Sequence, residues 1–207
     1  NPSVYVDNLL LSELADTIQP SLVSGVLDLN TGTGVLTLTS NEFLDVTQGS
    51  AGAGSPAFGW VNLSQIFLAN EASGLDAPLA GATVVPVGFN FRTHDLVVLL
   101  TEVQRAAAIG LSGTSGGDGT PLVVHVLANT VFGFGTRGNR LNASVTLTEI
   151  PDTTPPSIQS TALDLATGIL TLSGSETIDA TPNTLVDPSL LTLVQSTGDA
   201  TNAVGLD

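Results

Sequence analysis

The chain has 207 residues, no cysteine, and 19 acidic residues against four basic ones, which gives a net charge of −15. This charge excludes a nucleic-acid binder, because such a protein needs a cationic surface to displace the counterions of phosphate, and it argues against docking on anionic lipid. The lack of cysteine excludes disulfides and thiolate metal sites, and no apolar run approaches the roughly 20 residues of a membrane helix.

The composition predicts strands packed around an aliphatic core. Hydrophobic residues make up 42 % of the chain and aromatic residues only 4 %, so Val, Leu, Ile and Ala have to fill the interior. Many β-branched residues, together with 22 glycines and 11 prolines, favour strands joined by tight turns.

Apolar runs between turn-forming residues predict seven strands from residue 20 to residue 155. They lie at residues 22–29, 35–39, 61–69, 82–91, 96–101, 121–131 and 145–150. The first two form a hairpin, in which Leu36 and Leu38 alternate with threonines at the period of a half-buried strand, and Glu42 and Asp45 follow the second strand. Seven strands in this length are typical of an immunoglobulin-like (Ig-like) β-sandwich.

Residues 101–109 depart from the strand pattern and predict one or two helical turns. Thr101 is a suitable N-cap, Glu102 places an acidic residue in the first turn, and good helix formers follow up to Gly110. We therefore expect a short helical segment that crosses between strands of an otherwise all-β unit.

The sequence contains an internal repeat. Residues 9–29 match residues 145–165 at an offset of 136, with ten of 21 positions identical, and the match continues at an offset of 134 after a two-residue insertion. Residues 61–70 also resemble residues 186–195. Self-similarity at a fixed spacing is the signature of repeated structural units. The predicted fold class is all-β, with Ig-like β-sandwich repeats in tandem.

The repeat divides the chain into three predicted parts. Residues 1–19 are the C-terminal strand of a preceding repeat, residues 20–155 a complete Ig-like repeat, and residues 156–207 the N-terminal part of a following repeat. The last part holds too few strands to bury a core, so flanking sequence or a neighbouring chain is expected to complete it. The junction carries Pro151, Pro155 and Pro156, which predicts limited swivel between domains.

Three motifs carry a family resemblance: LTEVQRAAAI at residues 100–109, DTTPP at residues 152–156 and LDLATGILTLSGSE at residues 163–176. They resemble the tandem Ig-like repeats of very long surface proteins, which occur in bacterial adhesins and in secreted algal proteins similar to those of flagellar hairs (mastigonemes). The resemblance covers all three parts of the chain. It implies an extracellular or cell-surface location and a structural or adhesive role.

Four carboxylates recur at the two junctions. Glu13 and Asp16 correspond to Glu149 and Asp152 at the offset of 136. Calcium takes about six to eight oxygen ligands, several of them carboxylate, so a calcium site that stiffens the array is one interpretation, and calcium is the cofactor it implies. The other interpretation is that these acids cap turns and keep strand edges soluble.

Three further features have alternative interpretations. Asn62 and Asn142 stand in Asn-x-Ser sequons, which a secreted eukaryotic protein glycosylates where they are exposed. Trp60 is either a core residue at a strand start or a contact for a partner. Residues 133–138 fit G-x-G-x-x-G, but a strand is predicted after them, so we interpret them as a β-turn and not as a dinucleotide site.

The chain is not predicted to be an enzyme. His94 and His125 are its two histidines, and it has no P-loop. We expect a structural subunit of an extracellular fibre, stalk or surface appendage, with copies of itself or neighbouring repeats as partners. Two alternatives stay open: a cell-surface adhesin module that binds glycans or a receptor, and a non-catalytic accessory domain of a secreted enzyme.

Overall fold

A computed structural model gives the fold of the chain. It describes residues 12–30, 32–46, 61–71, 74–85, 87, 92–133, 138–139, 142–178, 186–194 and 204–205. The chain divides into two compact units, unit 1 (Asn1–Thr154) and unit 2 (Pro155–Asp207). Within the described ranges, no helix is long and apolar enough to cross a membrane.

Unit 1 is built from strands and one helix. The strands are β1 (Leu22–Asp28), β2 (Val35–Asp45), β3 (Ile66–Ala69), β4 (Ala77–Pro78), β5 (Thr83–Val85), β6 (Arg92–Leu99), β7 (Val123–Val126) and β8 (Asn142–Ile150), and the helix is α1 (Glu102–Leu111). The strands are hydrogen-bonded in the order β4-β3-β7-β8-β1-β2-β6-β5, which makes one curled sheet. The predicted all-β class is confirmed.

Strand β8 has different neighbours along its two halves. Its first half is antiparallel to β7, with Val145 opposite Val124, and its second half is parallel to β1, with Thr148 opposite Val26. Strand β8 thus joins the two parts of the curled sheet.

The core of unit 1 is aliphatic. Every buried hydrophobic side chain among the described residues is Leu, Val, Ile or Ala, as the composition predicts. On the hairpin, Leu36 lies opposite Leu27 and Leu38 lies opposite Gly25. Gly25 leaves room for Leu147 of β8, because a Cβ at Gly25 would lie 2.5 Å from Leu147 Cδ2. The pairing of β1 with β8 thus depends on a glycine.

Helix α1 begins as the sequence predicts and ends just beyond the predicted segment, at Leu111. Thr101 is its N-cap and forms a capping box with Gln104. Gln104 N donates to Thr101 Oγ1 over 3.3 Å, and Thr101 N donates to Gln104 Oε1 over 2.9 Å. Gln104 Nε2 also donates to the carbonyl oxygens of Pro78 and Ala80, which fastens the helix to β4.

The predicted end of the second strand was wrong. Strand β2 continues to Asp45, so Glu42 and Asp45 lie within the strand and not after it. The pairing with β6 shifts register between Thr39 and Leu44. This irregularity interrupts the apolar alternation, and a reading of the sequence by period therefore stops too early.

Other parts of the strand prediction also differ from the structure. The predicted strand at residues 61–69 divides into a 3₁₀ turn, Leu63–Gln65, and the shorter strand β3. Strand β4 was not predicted, because only two residues pair there and so short a run carries no period. Trp60 and residues 1–11 lie outside the described residues.

Unit 2 repeats the first hairpin of unit 1. Its strands are β9 (Ile158–Asp164) and β10 (Ile169–Gly174). At the offsets of the sequence repeat, Leu163 lies opposite Leu170 as Leu27 lies opposite Leu36. The register shift near the start of β1 recurs at the corresponding place in β9. The sequence repeat is therefore also a repeat of backbone register.

The match between the units extends to three further elements of unit 2. These are the 3₁₀ turn Pro188–Leu190 and the strands β11 (Thr192–Leu193) and β12 (Val204–Gly205), which follow in the order of Leu63–Gln65, β3 and β4. Leu193 lies opposite Val204 as Leu68 lies opposite Ala77. Unit 2 thus contains counterparts of β1 to β4 in the same order and pairing.

The two hairpins also close with the same side-chain bond. Asp28 Oδ1 accepts a hydrogen bond from Asn30 N over 2.9 Å, and Asp164 Oδ1 accepts one from Ala166 N over 2.8 Å. An aspartate that bonds the backbone two residues on favours a turn without help from the rest of the fold.

The turn of the second hairpin is expected to depend on pH. Hydrogen bonds from the Thr167 side chain and from the amides of Ala166 and Thr167 lower the pKa of Asp164 below its ordinary value of 3.8. Such a carboxyl stabilises the fold above its unfolded pKa, and this contribution is lost as the pH falls through the folded pKa. An NMR titration should give Asp164 a pKa below 3.8, and Thr167→Val should raise it. A pKa at or above the ordinary value would contradict the turn.

Gly25→Ala should destabilise unit 1, because the added Cβ would lie 2.5 Å from Leu147 Cδ2 and 2.9 Å from Leu38 Cδ2. Overpacking of this kind costs about 1–3 kcal/mol, and urea unfolding measures it. Gly32→Ala is the matched control, since a Cβ there meets nothing within 4 Å. Equal effects of the two substitutions would contradict the packing of β8 over β1.

Candidate functional site: the junction clasp

Helix α1 places one basic side chain inside unit 1. Arg105 is 2 % exposed, on the buried face of the helix with Gln104 and Ala108. A buried guanidinium without partners would be strongly destabilising. Its stem packs against Gly34, where a Cβ would lie 3.1 Å from Arg105 Cγ and where φ is 63°. Both the close approach and the positive φ favour glycine at this position.

Arg105 donates to acceptors from three parts of the chain. Its Nε and Nη2 bond both carboxylate oxygens of Glu102 over 2.8 and 3.0 Å. Its Nη1 donates to Asp152 Oδ2 over 2.7 Å and to the carbonyl oxygen of Leu29 over 3.2 Å. Bidentate and charge-assisted bonds are among the strong ones in proteins. Arg105 therefore ties the helix to the end of β1 and to the chain beyond β8.

The chain at and beyond the end of β8 is held at two more points. Glu149 Oε1 accepts from Leu122 N over 2.6 Å and its Oε2 from Gly113 N over 3.1 Å, so β8 holds both sides of the glycine-rich loop at residues 112–119. Thr153 N and Oγ1 donate to Asn30 Oδ1 over 3.0 and 2.7 Å. We call this set of side chains the junction clasp: Asn30, Glu102, Arg105, Glu149, Asp152 and Thr153.

Two of the predicted site residues, Glu149 and Asp152, belong to the clasp but have different partners. Glu149 bonds backbone amides, while Asp152 bonds Arg105 through one oxygen and Thr154 N, over 2.9 Å, through the other. The turn-capping interpretation describes the bond between Asp152 and Thr154 N, whereas the partners Arg105, Leu122 N and Gly113 N come from distant parts of the chain. Within the part of the chain that the structure describes, no group of three or more His, Asp or Glu side chains could hold a metal ion. A calcium role for these acids stays a prediction.

The first copy of the motif, Glu13 and Asp16, lies on residues 12–20, which form no strand. Asp16 Oδ1 accepts from Ile18 N over 2.9 Å, which is the bond that Asp152 makes with Thr154. The side chain of Glu13 is exposed. The local turn is therefore a property of the repeated motif and forms in both copies.

The two sequon asparagines have different settings. Asn62 Oδ1 accepts from Ser64 N over 3.2 Å and from Ser64 Oγ over 2.6 Å, which caps the 3₁₀ turn. At the repeat position, Asp187 makes the same two bonds with Ser189. Asn62 and Asp187 therefore share the capping of a 3₁₀ turn, and they do not share glycosylation, because an aspartate is not a glycosylation acceptor. Asn142 begins β8. Glycosylation at both asparagines stays a prediction.

The glycine motif at residues 133–138 leads into strand β8 and not into a helix, as predicted. Gly138 pairs with Phe132 across the segment. The buried Asn139 accepts from Thr130 N and Val131 N over 2.8 and 2.9 Å, which holds the preceding loop. A helix N-terminus, which a dinucleotide site needs for the pyrophosphate, does not follow the motif.

An open hollow lies beside strands β2 and β6 of unit 1. The ring of Phe43, which is 54 % exposed, contacts the ring of His94 with centroids 4.1 Å apart. The second histidine, His125, is buried in β7. The hollow is open, has a volume of about 350 Å³, and is lined by Asp16, Asn41, Glu42, Phe43 and His94.

The sequence reasoning missed Arg105 and Asn30 as members of the clasp. One signal was present, because Arg105 stands three residues after Glu102 in an alanine-rich helix, which is the spacing of a helical ion pair. No signal in the sequence indicated a role for Asn30. Its bond to Thr153 spans 123 positions and depends on how the sheet curls.

Comparisons of the chain with known protein families, with curated proteins and with solved structures found no match.

Arg105→Met should lower the free energy of unfolding of unit 1 by about 3 kcal/mol, because removing one partner of a buried ion pair leaves the other acceptors unpaired. Methionine retains much of the apolar stem. Urea unfolding followed by far-ultraviolet circular dichroism measures the loss. Val103→Met, at a position 79 % exposed, is the control on the same helix. Equal losses in both variants would contradict the clasp.

The calcium and turn-capping interpretations predict different melting curves. The four carboxylate oxygens of Glu149 and Asp152 already accept hydrogen bonds. We therefore expect the same melting temperature in excess calcium and in a chelator. A rise in calcium that Asp152→Asn abolishes would instead establish a calcium site at the junction.

Proposed function

We propose that the chain is a stretch of a load-bearing extracellular protein, a fibre, stalk or surface appendage built from tandem Ig-like β-sandwich repeats. One observation carries the proposal. Among the described residues of unit 1, the first strand, β1, and the last strand, β8, are parallel neighbours, with Gly25 opposite Leu147 and Asp28 opposite Ile150.

Tension along the chain loads this strand pair in shear. The chain enters the sheet at the N-terminal end of β1 and leaves it at the C-terminal end of β8. Because the strands are parallel, these two points lie at opposite ends of the pair. A pull can separate them only by sliding one strand along the other, which loads the hydrogen bonds of the paired stretch together. A strand peeled from one end loses its bonds one after another and resists less.

The clasp adds fastenings on the C-terminal side of this pair. Leu29 N donates to the carbonyl oxygen of Ile150 over 2.9 Å, and Asp152 and Thr153 are then bonded to Arg105 and Asn30. A force that arrives through the linker has to break these bonds before it acts on β8 alone. The recurrence of the Glu and Asp motif at the earlier junction supports the same fastening there.

The second unit supports the tandem arrangement. It has counterparts of β1 to β4 in the same registers, and they begin directly after the clasped linker. The net charge of −15 adds repulsion between neighbouring copies, which keeps an exposed array from clumping. A non-enzymatic role agrees with this design, since the acids in the clasp bond backbone amides and an arginine.

The proposal is tested by pulling unit 1 in two directions. The chain contains no cysteine, so pairs of introduced cysteines give unique handles. Ser21→Cys with Pro151→Cys loads β1 and β8 in shear, whereas Gly32→Cys with Pro151→Cys starts at the shared end of both strands and unzips them. We expect a several-fold larger unfolding force in shear, measured by single-molecule force spectroscopy. Equal forces in the two geometries would contradict a load-bearing role.

A second candidate function is adhesion to glycans, and the hollow beside Phe43 favours it. An exposed aromatic ring next to the amide of Asn41 and the carboxylates of Asp16 and Glu42 offers a stacking face and hydrogen-bond acceptors for a sugar. Binding of the intact chain to a glycan array that Phe43→Ala abolishes would support this function. If the chain binds no glycan on the array and unit 1 resists shear strongly, the results would favour the structural role over adhesion.

A further inference from the structure

Unit 2 exposes an apolar face whose counterpart in unit 1 is covered. Leu163 is 42 % exposed and Leu165 is 86 % exposed, whereas both counterparts, Leu27 and Leu29, are 0 % exposed. Three further exposed residues have buried counterparts at Leu22, Leu44 and Ala77, and these are Ile158, Ile178 and Val204. Apolar residues that recur on one face mark an interaction surface more often than isolated ones do.

Unit 1 shows what covers this face. There β8 pairs with β1, β6 with β2, and β7 with β3. These covering strands, with α1, all come from the part of the repeat that follows β4. Among its described residues, unit 2 has counterparts of β1 to β4 and none of β5 to β8.

We infer that the apolar face of unit 2 is a docking surface for a polypeptide segment of the same repeat type, equivalent to residues 81–155. This segment adds a β8-like strand to β9 and a β7-like strand to β11, which is recognition by strand addition with apolar side chains in register. The inference rests on the proposed repeat architecture and names the chemistry of the partner that completes it.

The docking segment has to differ from residues 81–155 at one position. In unit 1, Leu147 occupies the space that Gly25 leaves, and a Cβ there would lie 2.5 Å from Leu147 Cδ2. The counterpart of Gly25 in unit 2 is Thr161. A leucine would meet the threonine side chain, so the fitting strand carries a smaller residue opposite Thr161. The sizes of these two opposing side chains thereby determine which of several similar strands can dock on β9.

The test extends the full chain with a copy of residues 81–155 directly after Asp207, because Val204 takes the place of Ala77 in the strand pairing. In the copy, the counterpart of Leu147 is changed to alanine. Amide hydrogen exchange in β9 is measured with and without the extension. We expect it to slow by at least about 100-fold, because a covered strand exchanges only when the larger unit opens.

Two comparisons test the size match. The extension that keeps leucine should protect β9 less than the alanine version, and Thr161→Gly should restore its protection. Leu163→Asp in unit 2 should abolish protection by every extension, because it places a charge in the apolar contact.

Unchanged exchange in β9 with the alanine extension would overturn the inference. Dimerisation of the unextended chain with protected β9 amides would overturn it as well, because a second copy would then be the occupant. Neither result alters the shear resistance of unit 1, so the docking inference and the load-bearing proposal can fail separately.

Discussion

The buried guanidinium of Arg105 is the interaction on which the arrangement of unit 1 depends. A charge removed from water is tolerated only where good acceptors surround it. Its acceptors belong to Glu102 in the helix, Leu29 at the end of β1 and Asp152 beyond β8. The helix, the first hairpin and the exit of the chain therefore have to be in place together. An aliphatic core alone would hold the strands but would leave the linker unfastened.

The clasp and the sheet topology act on the same point of the molecule. Parallel pairing places the entry of the chain and its exit at opposite ends of β1 and β8. The clasp then holds the exit against the neighbouring hairpin through Asn30 and against the helix through Arg105. In the load-bearing role that we propose, resistance to force comes from this parallel geometry and from the side-chain bonds of the clasp.

Much of the local structure follows from the sequence, because short-range chemistry decides it. The period-two leucines predict the first hairpin, and Thr101 as N-cap with Glu102 in the first turn predicts the start of α1. Long-range contacts cannot be predicted from such local patterns. The extension of β2 past Thr39 depends on its partner β6, and the bond of Asn30 to Thr153 depends on the curl of the sheet. The role of Arg105 follows only when its three acceptors are placed around it.

The two copies in the chain retain turn chemistry and vary core packing. Asp28 and Asp164 make the same turn bond, because a few neighbouring residues encode it. At the core position, Gly25 is replaced by Thr161, which cannot fit against a leucine placed like Leu147. Side chains that pack across strands within one unit have to change together. Tandem arrays of similar units misfold by exchanging strands between neighbours, and a size mismatch at this position makes such an exchange costly while each unit keeps its own turns.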